Sequence, residues 1–395
     1  MFFTLSTLAV SAQADFTTFL SNGPSSNRVD IVFLGDGYTA QELDLYQTHI
    51  NSMMAHFFDE GEDPFPRYKS YFNAHRVDVI SQQSGADDPS VSAFVNTALD
   101  ATYRFDGVTQ RLLYVNDGKA SAALSAGLDG ALTADMKLVT VNATQYGGAG
   151  GTYAVYAGGN GSAAEVALHE LGHSFAGLAD EYGGFTTIYA GPEPSQPNVT
   201  KDPTGAKWAR WNGYNQPRIG TIGAYDGGRY YDHGIYRPSL NSKMRVLGEP
   251  FDAVSREEFI LDIYRIVDPV DSWLSNAEPL SDPVKLWVDT IDPAIIQHQW
   301  LVNGTLVAGA IGEEFDPIDF GFGPGTYTIT SRNFDPTDWV RSYPELLQHD
   351  ITWTVTYTVP EPSSIVLAVV ASCWLVVSRL RTRLTPKGSF RQIPE

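Results

Sequence analysis

Two histidines and a glutamate lie close together in SAAEVALHELGHSFAGLADEY, the stretch that covers residues 162–182. His169 and His173 are four residues apart, so on a helix both imidazoles leave one face and can reach one ion. Glu170 follows the first histidine, where its carboxylate can hydrogen-bond a water molecule on that ion. The spacing therefore predicts a zinc site with Glu170 as the general base.

A catalytic zinc ion needs a third protein ligand and one open coordination position. Gly177 is suited to end the helix, and the next polar side chains are Asp180 and Glu181. Position alone leaves both carboxylates open as the third ligand. The HExxH pattern also occurs by chance in helices that bind no metal. Here two histidines and three acids within 13 residues, in a chain with only eight histidines, favour metal binding.

The helix that carries these residues is expected to begin near Ala163, because Ser162 and Glu165 have the spacing of a capping box. The segment before it, residues 146–161, is rich in glycine and predicts a turn, a strand over residues 152–156 and a second turn. We expect this strand to line the cleft and to pair with an extended substrate, as edge strands can.

The elements nearer the N-terminus predict an α/β domain with a mixed sheet. The apolar run 29–34 predicts a strand, and Thr39 with Glu42 forms a capping box that opens a helix to about Phe58. Further strands are expected over residues 74–80, 111–115 and 137–141, and a further helix over residues 255–267. Strands that alternate with helices indicate a sheet with helices packed against it.

The pattern changes after about residue 284, where short strands alternate with turn residues. Examples are QWLVNGT at residues 299–305 and GTYTIT at residues 325–330. This rhythm is typical of a small β-sandwich. The sequence therefore predicts an α/β domain with the zinc site over residues 15–285 and a β-sandwich domain over residues 286–358.

Composition limits the partners of this chain. Its 395 residues include 26 lysines and arginines against 46 aspartates and glutamates, a net charge of −20. An acidic surface repels phosphate backbones, so nucleic acid is not an expected partner. The single cysteine, Cys373, lies in an apolar run near the C-terminus. The stability of the folded part must therefore come from core packing and bound metal, without disulfides.

Five motifs occur in the order VDIVFLGDGYT, VDVISQQSGADDP, HELGHSFAGLADEYGG, YYDHGIYRPSLNSKMR and PFDAVSREEF. Together they resemble the IgA-peptidase family of secreted zinc metallopeptidases. The resemblance runs from about residue 24 to residue 285, and the later motif NFDPTDWVRSYPELL is similar to the C-terminal module of that family. It implies a metzincin-like zinc metallopeptidase domain, with a mixed sheet and an active-site helix, that needs Zn²⁺ as its cofactor.

The resemblance also implies that Asp180 is the third zinc ligand, with Glu181 as the alternative. Metzincins usually continue their motif as HExxHxxGxxH. In this chain the positions of that glycine and last ligand hold Ala176 and Ala179, and Gly177 and Asp180 follow one residue later.

Two further side-chain roles follow from the resemblance and the expected chemistry. Metzincins place a methionine in a turn beneath the metal, and Met244 in NSKMR is the candidate, although a plain core methionine is the alternative. A tyrosine, either Tyr230 or Tyr231, is expected to stabilise the oxyanion of the reaction.

The expected function is a secreted or surface zinc-dependent endopeptidase. It hydrolyses peptide bonds with a zinc-activated water and with Glu170 as general base, so its partner is a protein or peptide substrate. The alternatives are an exported zinc amidase and a non-catalytic surface-binding protein, either acting on cell-wall or glycan material. Cleavage of immunoglobulin, which named the family, is not expected to carry over.

Both ends of the chain predict export. Residues 1–14 combine an apolar stretch with the A-x-A site Ala12–Ala14, as signal peptides do. Residues 359–395 contain VPEP, an apolar transmembrane segment at Ile365–Ser378 and then an arginine cluster, and they resemble a bacterial PEP-CTERM sorting signal. That resemblance implies recognition by sorting machinery at the inner membrane, and a protein that is membrane-anchored, at the cell surface or extracellular after C-terminal processing.

Overall fold

The computed structural model describes residues 15–59, 61–283 and 285–358. The predicted signal peptide at residues 1–14 and the predicted sorting tail at residues 359–395 lie outside the described residues. Within the described ranges, no helix combines the length and the apolar character that a membrane crossing requires.

A six-stranded sheet forms the centre of the first half of the chain. Its strands are β1 (Asp15–Leu20), β2 (Val29–Asp36), β3 (Phe72–Asp78), β4 (Met136–Val141), β5 (Gly148–Ala149) and β6 (Ala154–Ala157). They lie in the order β1-β3-β2-β4-β6-β5. The inner strands are parallel, whereas β1 and β5 at the two edges run antiparallel to their neighbours. This arrangement is the mixed sheet that the sequence predicts.

Helices cover both faces of this sheet. The α-helices of the described residues are α1 (Leu43–Phe57), α2 (Asp117–Leu128), α3 (Ala163–Ser174) and α4 (Ala253–Ile266). On one face, Ile31 and Phe33 of β2 belong to a core shared with α1, α3 and α4. On the other face, Val32 and Leu34 belong to a core shared with α2. Since both faces of β2 are buried, its sequence is an almost continuous apolar run.

The prediction of a strand at residues 111–115 is wrong. These residues make isolated bridges only, among them one from Leu112 to Gly148. Leu113 and Val115 are nevertheless buried in the core that α2 covers. The apolar run thus reflects a loop packed beside the sheet, where the neighbouring strand β5 is too short to extend a ladder.

The strand predicted at residues 152–156 forms as β6, but it is not an edge strand. It pairs with β4 on one side and with β5 on the other. The outermost strand beside the cleft is therefore β5. The expectation that β6 itself pairs with substrate is wrong, because both of its edges are occupied.

The first predicted capping box is present and the second is not. The backbone N–H and the hydroxyl of Thr39 donate to Oε2 of Glu42 at 2.9 and 2.8 Å, one short turn before α1. Helix α3 begins where predicted, but the side chain of Ser162 makes no capping hydrogen bond. The carboxylate of Glu165 instead accepts a hydrogen bond from the ammonium of Lys243, which lies far away in the sequence.

Two small sheets follow the α3 segment. Their strands are β7 (Phe185–Ile188), β8 (Asn215–Gln216), β9 (Gly220–Thr221), β10 (Tyr225–Gly228) and β11 (Tyr231–Arg237). Strands β10, β11 and β7 form one sheet, and β8 and β9 form the other. The tight connection between β10 and β11 carries Arg229 and Tyr230 to the end of α3, next to the predicted metal ligands.

The C-terminal part of the described chain is built from strands. They are β12 (Val270–Trp273), β13 (Leu280–Ser281), β14 (Leu286–Thr290), β15 (Gln297–Val302), β16 (Thr305–Leu306), β17 (Glu314–Phe315), β18 (Gly325–Phe334) and β19 (Gln348–Tyr357). They form a sheet of order β12-β14-β17 and a second of order β13-β19-β18-β15-β16. Phe315 of the first sheet and Trp300 and Trp353 of the second belong to one apolar core.

These sheets begin before residue 286, the predicted start of the β-sandwich. Strand β12 pairs with β14, and β13 pairs with β19, so both belong with the strands that follow them. Both are short, and their partners lie 15 or more residues away, which local periodicity does not reveal. The exact limits of the domains remain a prediction.

Candidate metal centre

Three side chains predicted as metal ligands converge on one point. Nε2 of His169 lies 3.0 Å from Oδ1 of Asp180, and Nε2 of His173 lies 3.3 Å from the same oxygen. Helix α3 places both imidazoles on one face because they are one turn apart. The set of two imidazole nitrogens and one carboxylate oxygen is a donor set that zinc prefers.

A reversal of the chain after α3 brings Asp180 back to the histidines. Gly177 has a φ of +59°, in the left-handed region that glycine adopts without strain. Asn198 then holds Ala179 from both sides. Its Oδ1 accepts from the N–H of Ala179 at 2.8 Å, and its Nδ2 donates to the carbonyl of Ala179 at 2.9 Å. The backbone just before Asp180 is thereby fixed with the carboxylate facing the helix.

Backbone carbonyls determine which nitrogen of each histidine is available. Nδ1 of His169 lies 2.9 Å from the carbonyl oxygen of Lys243, and Nδ1 of His173 lies 2.7 Å from that of Leu178. Since a carbonyl can only accept, Nδ1 carries the hydrogen in both rings, and a neutral ring has its lone pair on Nε2. Metal-binding histidines show this same outer arrangement. The residues present therefore fit a zinc ion.

Glu181, the alternative third ligand, faces away from the histidines. It is fully buried, and its Oε1 accepts from Nδ2 of Asn198 at 3.0 Å while its Oε2 accepts from the hydroxyl of Ser242 at 2.6 Å. Burial raises the pKa of this carboxyl group. Of the two carboxylates that the sequence leaves open, the structure brings Asp180 to the histidines.

Met244 lies beneath the helix that carries the histidines. Its side chain is fully buried, and its sulfur would be only 2.5 Å from a Cβ atom on Gly172 of α3. Its carbonyl accepts a hydrogen bond of 2.8 Å from the N–H of Glu181. Met244 is therefore packed against α3 beside His173 and contacts the segment that presents Asp180; its role beneath the metal stays a prediction.

The two tyrosines considered for the oxyanion have different surroundings. The hydroxyl of Tyr230 donates to Oδ2 of Asp180. The ring of Tyr231 instead packs edge-on against Tyr189, with 5.1 Å between the ring centroids. Of these two tyrosines, Tyr230 is the one that contacts a predicted metal ligand.

The backbone that presents Tyr230 is strained. Arg229 and Tyr230 have φ values of +48° and +69°, which cost side-chain-bearing residues about 1–3 kcal/mol each. Two hydrogen bonds hold this conformation. The N–H of Arg229 donates to the carbonyl of Asp180 at 2.7 Å, and the N–H of Tyr230 donates to that of Tyr182 at 2.9 Å. The strain is thus held by the same segment that presents the third ligand.

A cleft of about 680 Å³ opens over the three converging side chains and Glu170. Gly148 of β5 and Gly150, which follows that strand, form one wall, and we call residues 147–151 the β5 segment. A Cβ atom on Gly148 would lie 3.0 Å from Oε1 of Glu170, and one on Gly150 would lie 2.5 Å from Cβ of His173. The glycine-rich stretch of the sequence therefore allows the edge strand to lie directly against α3.

Burial and neighbouring charge shift the pKa values in this cleft. Burial raises the pKa of the Glu170 carboxyl. Burial acts against the charged form of Asp180 as well, but hydrogen bonds from His169 and His173 hold its pKa well below the usual range. For His173, burial lowers the pKa, yet the hydrogen bond and the charge of Asp180 raise it overall to about 9.

Sequence reasoning did not identify several residues of this site. Arg111 lines the cleft, and its Nη2 donates to the hydroxyl of Tyr182 at 3.2 Å. Asn198 and the carbonyl of Lys243 orient the ligands. No local signal marks these residues, because each acts through a contact with a segment distant in the sequence.

A second group of potential ligands among the described residues consists of His56, Glu62 and Glu165. The ammonium of Lys243 lies 2.9 Å from Glu62 and 2.5 Å from Glu165, and this lysine is fully buried. A cationic side chain already bridges the two carboxylates. The observed ion pairs explain it without a second metal.

Comparison with protein families matches residues 18–221 to the family described as IgA Peptidase M64. The match covers just over half of the chain and includes α3 and Asp180. A search of curated proteins finds no match.

Proposed function

The chain belongs to the IgA peptidase M64 family, and from this premise we propose that it is a zinc-dependent endopeptidase. Membership of the family makes the protein a peptidase. The observation that carries the zinc proposal is the convergence of His169, His173 and Asp180, whose facing atoms lie 3.0 and 3.3 Å apart.

We assign the zinc-binding role to these three side chains. Two imidazoles and one carboxylate leave a coordination position open, as catalytic zinc sites require. When bound, zinc polarises the scissile carbonyl group and lowers the pKa of a bound water molecule.

Glu170 is assigned the proton transfers. Its carboxylate lines the cleft beside the two histidines, and its burial raises its affinity for a proton. Oε of Glu170 accepts a proton from the attacking water and then delivers it to the nitrogen of the leaving amine. An acid of raised pKa suits both steps, because it holds the proton between them.

The cleft suits an extended peptide. Strand β5 is the outermost strand of the central sheet. Gly148 of this strand lies against Glu170, and Gly150 just after it lies against His173. Edge strands can pair with extended peptides through the backbone. The isolated bridge from Leu112 reaches Gly148 only, so we place the substrate along the following residues, 149–151.

Tyr230 is assigned a positioning role toward the metal. Its hydroxyl binds the oxygen of Asp180 that does not face the histidines. Such outer hydrogen bonds orient ligating carboxylates.

The proposed place of action is outside the cytoplasm. Two sequence features support this proposal: residues 1–14 resemble a signal peptide, and residues 359–395 resemble a sorting signal that machinery at the inner membrane would recognise. Fractionation of the host, with mass spectrometry of the mature C-terminus, tests this part. A cytoplasmic protein that retains both ends would contradict export.

The test of the enzymatic proposal is hydrolysis of a peptide library by the purified protein with zinc and with a chelator. We expect about one zinc per chain and activity that the chelator abolishes. Glu170→Gln should lower kcat by about 10²–10⁴-fold at unchanged zinc content. Activity that survives complete removal of metal would contradict the proposal. Hydrolysis restricted to cell-wall or glycan amides would favour the amidase alternative.

A further inference from the structure

A second cavity adjoins the active site on the side of Glu170. It has a volume of about 230 Å³. His169, Glu170, Arg111 and Tyr182 line both this cavity and the main cleft, so the two meet at the group assigned as the general base. We call this second cavity the basic pocket.

The basic pocket contains two arginines without an acidic partner. Among the described residues, no carboxylate lies within 4.0 Å of the guanidinium of Arg111 or Arg245. Arg111 donates to the hydroxyl of Tyr182, and Arg245 donates to the carbonyl of Glu181 at 3.3 Å. Both contacts are to neutral acceptors, so the positive charges are not compensated by a salt bridge.

The other charged groups that line the pocket form no salt bridge with these arginines. Lys243 also lines it, but its ammonium is paired with Glu62 and Glu165. The acidic group in the lining is Glu170, which is assigned to proton transfer. The protein as a whole has a net charge of −20. Two arginines without a salt bridge therefore give this pocket a charge opposite in sign to that of the whole protein.

We propose that the basic pocket binds a carboxylate of the peptide substrate next to the bond that is cleaved. This inference rests on the proposed peptidase function, because a peptide of ordinary residues carries no other anionic group. Guanidinium groups bind carboxylates through paired, charge-assisted hydrogen bonds. The remaining wall, which includes Tyr146 and Leu247, can pack against the aliphatic part of a side chain.

The carboxylate can come from an aspartate or glutamate side chain or from the C-terminus of a short substrate. Both sources offer the same chemistry to Arg111 and Arg245. Because the pocket lies beside Glu170, either carboxylate would belong to a substrate residue next to the bond that is cleaved. The overall acidity of the protein disfavours acidic peptides at long range, so local arginines are needed to select them.

The experiment uses the zinc-loaded full-length protein and a peptide that it cleaves. Glutamate and glutamine are exchanged at each position flanking the cleaved bond, and each peptide is made with a free and with an amidated C-terminus. We expect a carboxylate at one position to raise kcat/KM by about tenfold or more. A preference that persists in amidated peptides identifies a side chain, and one that requires the free acid identifies the C-terminus.

Variants of the arginines connect the preference to the pocket. Arg111→Gln and Arg245→Gln should each reduce the ratio of kcat/KM between acidic and amide substrates toward one. Arg332→Gln is the matched control, because Arg332 lies on β18 and pairs with Asp350; it should leave the ratio unchanged. Zinc content and circular dichroism show whether each variant is folded. The conservative variant Arg245→Lys keeps the positive charge and should retain part of the preference for acidic substrates.

The outcomes separate this inference from the function on which it rests. Equal cleavage of acidic and amide peptides by the wild type would overturn the proposal that the basic pocket binds a carboxylate. It would not contradict the peptidase function. A carboxylate preference that survives in both arginine variants also overturns the proposal for the basic pocket. A wild-type protein without metal-dependent cleavage of any peptide would instead count against the proposed function.

Discussion

The hydroxyl of Tyr230 donates a hydrogen bond to Oδ2 of Asp180, the carboxylate oxygen that does not face the histidines. One oxygen of Asp180 is thus directed at the candidate metal position while the other is held from outside. The orientation of the third ligand therefore depends on a residue 50 positions further along the chain.

Replacement of Tyr230 by phenylalanine tests this dependence. Loss of an outer hydrogen bond typically weakens metal binding by about 10–100-fold, and we expect a loss of zinc affinity in that range for Tyr230→Phe. Tyr231→Phe is the matched control, since this ring packs against Tyr189. Competition with a chelator measures both affinities. Equal affinities for the two variants would show that Tyr230 does not position the ligand.

The identity of the third ligand is tested by two isosteric changes. Asp180→Asn removes the negative charge of the carboxylate ligand. Loss of an outer hydrogen-bond partner weakens metal binding by about 10–100-fold, and we expect the loss of zinc affinity here to be larger. Glu181→Gln should retain zinc, because Glu181 contacts Asn198 and Ser242. Elemental analysis after dialysis distinguishes them. Zinc loss in Glu181→Gln with retention in Asp180→Asn would reverse the assignment.

A methyl group at Gly150 should disturb the site. A Cβ atom there would lie 2.5 Å from Cβ of His173, so either the β5 segment or α3 must move. Overpacking of this kind costs about 1–3 kcal/mol, and we expect Gly150→Ala to reduce stability and zinc content. Gly161→Ala is the control, because its added Cβ would meet no atom within 4 Å apart from those of the adjacent residues. Urea unfolding measures both, and equal midpoints would contradict the close packing.

Asp135 should make stability fall as the pH rises from about 4 to about 6. Burial, with a smaller contribution from the charge of Asp30, raises the pKa of Asp135 from 3.8 to about 6. The folded state therefore binds this proton more tightly than the unfolded state does, and the resulting stability is present at low pH and lost as the carboxyl ionises. The slope from one such group is at most about 1.4 kcal/mol per pH unit.

The variant Asp135→Asn isolates this contribution. The amide can still accept the hydrogen bond from the N–H of Asp30, which measures 2.8 Å, but it does not ionise. The difference in unfolding free energy between wild type and variant should therefore shift in favour of the variant across this pH interval. A difference independent of pH would show that Asp135 has an ordinary pKa in the folded protein.

The parts of the site that the sequence predicts are those determined by local geometry. Helical spacing alone places His169 and His173 on one face, and the predicted helix α3 is confirmed. The choice between Asp180 and Glu181 was open from position alone, since it depends on the reversal at Gly177 and on Asn198. The pocket arginines depend entirely on distant contacts, and no local pattern marks them.

The predictions that are wrong share a physical cause. Glu165 has the spacing of a capping residue, but a buried ammonium from Lys243 competes for its carboxylate and binds it more strongly than a backbone amide would. Leu113 and Val115 are apolar because they are buried, yet β5 has only two residues and is too short to pair along this segment. Strands β12 and β13 are recognised only through their partners. In each case the outcome depends on a partner that is distant in the sequence.

The glycine wall of the cleft has a consequence for how this enzyme can diversify. Gly148 and Gly150 present backbone alone, and there is no room for a side chain at either position. Substitution at these two positions would therefore displace α3 or its neighbours, so new preferences must arise at other residues that line the cleft, such as Arg111 and Arg229, which carry full side chains. A library designed to retarget the enzyme would keep Gly148 and Gly150 constant, retain Tyr230 because it binds Asp180, and randomise those cleft residues.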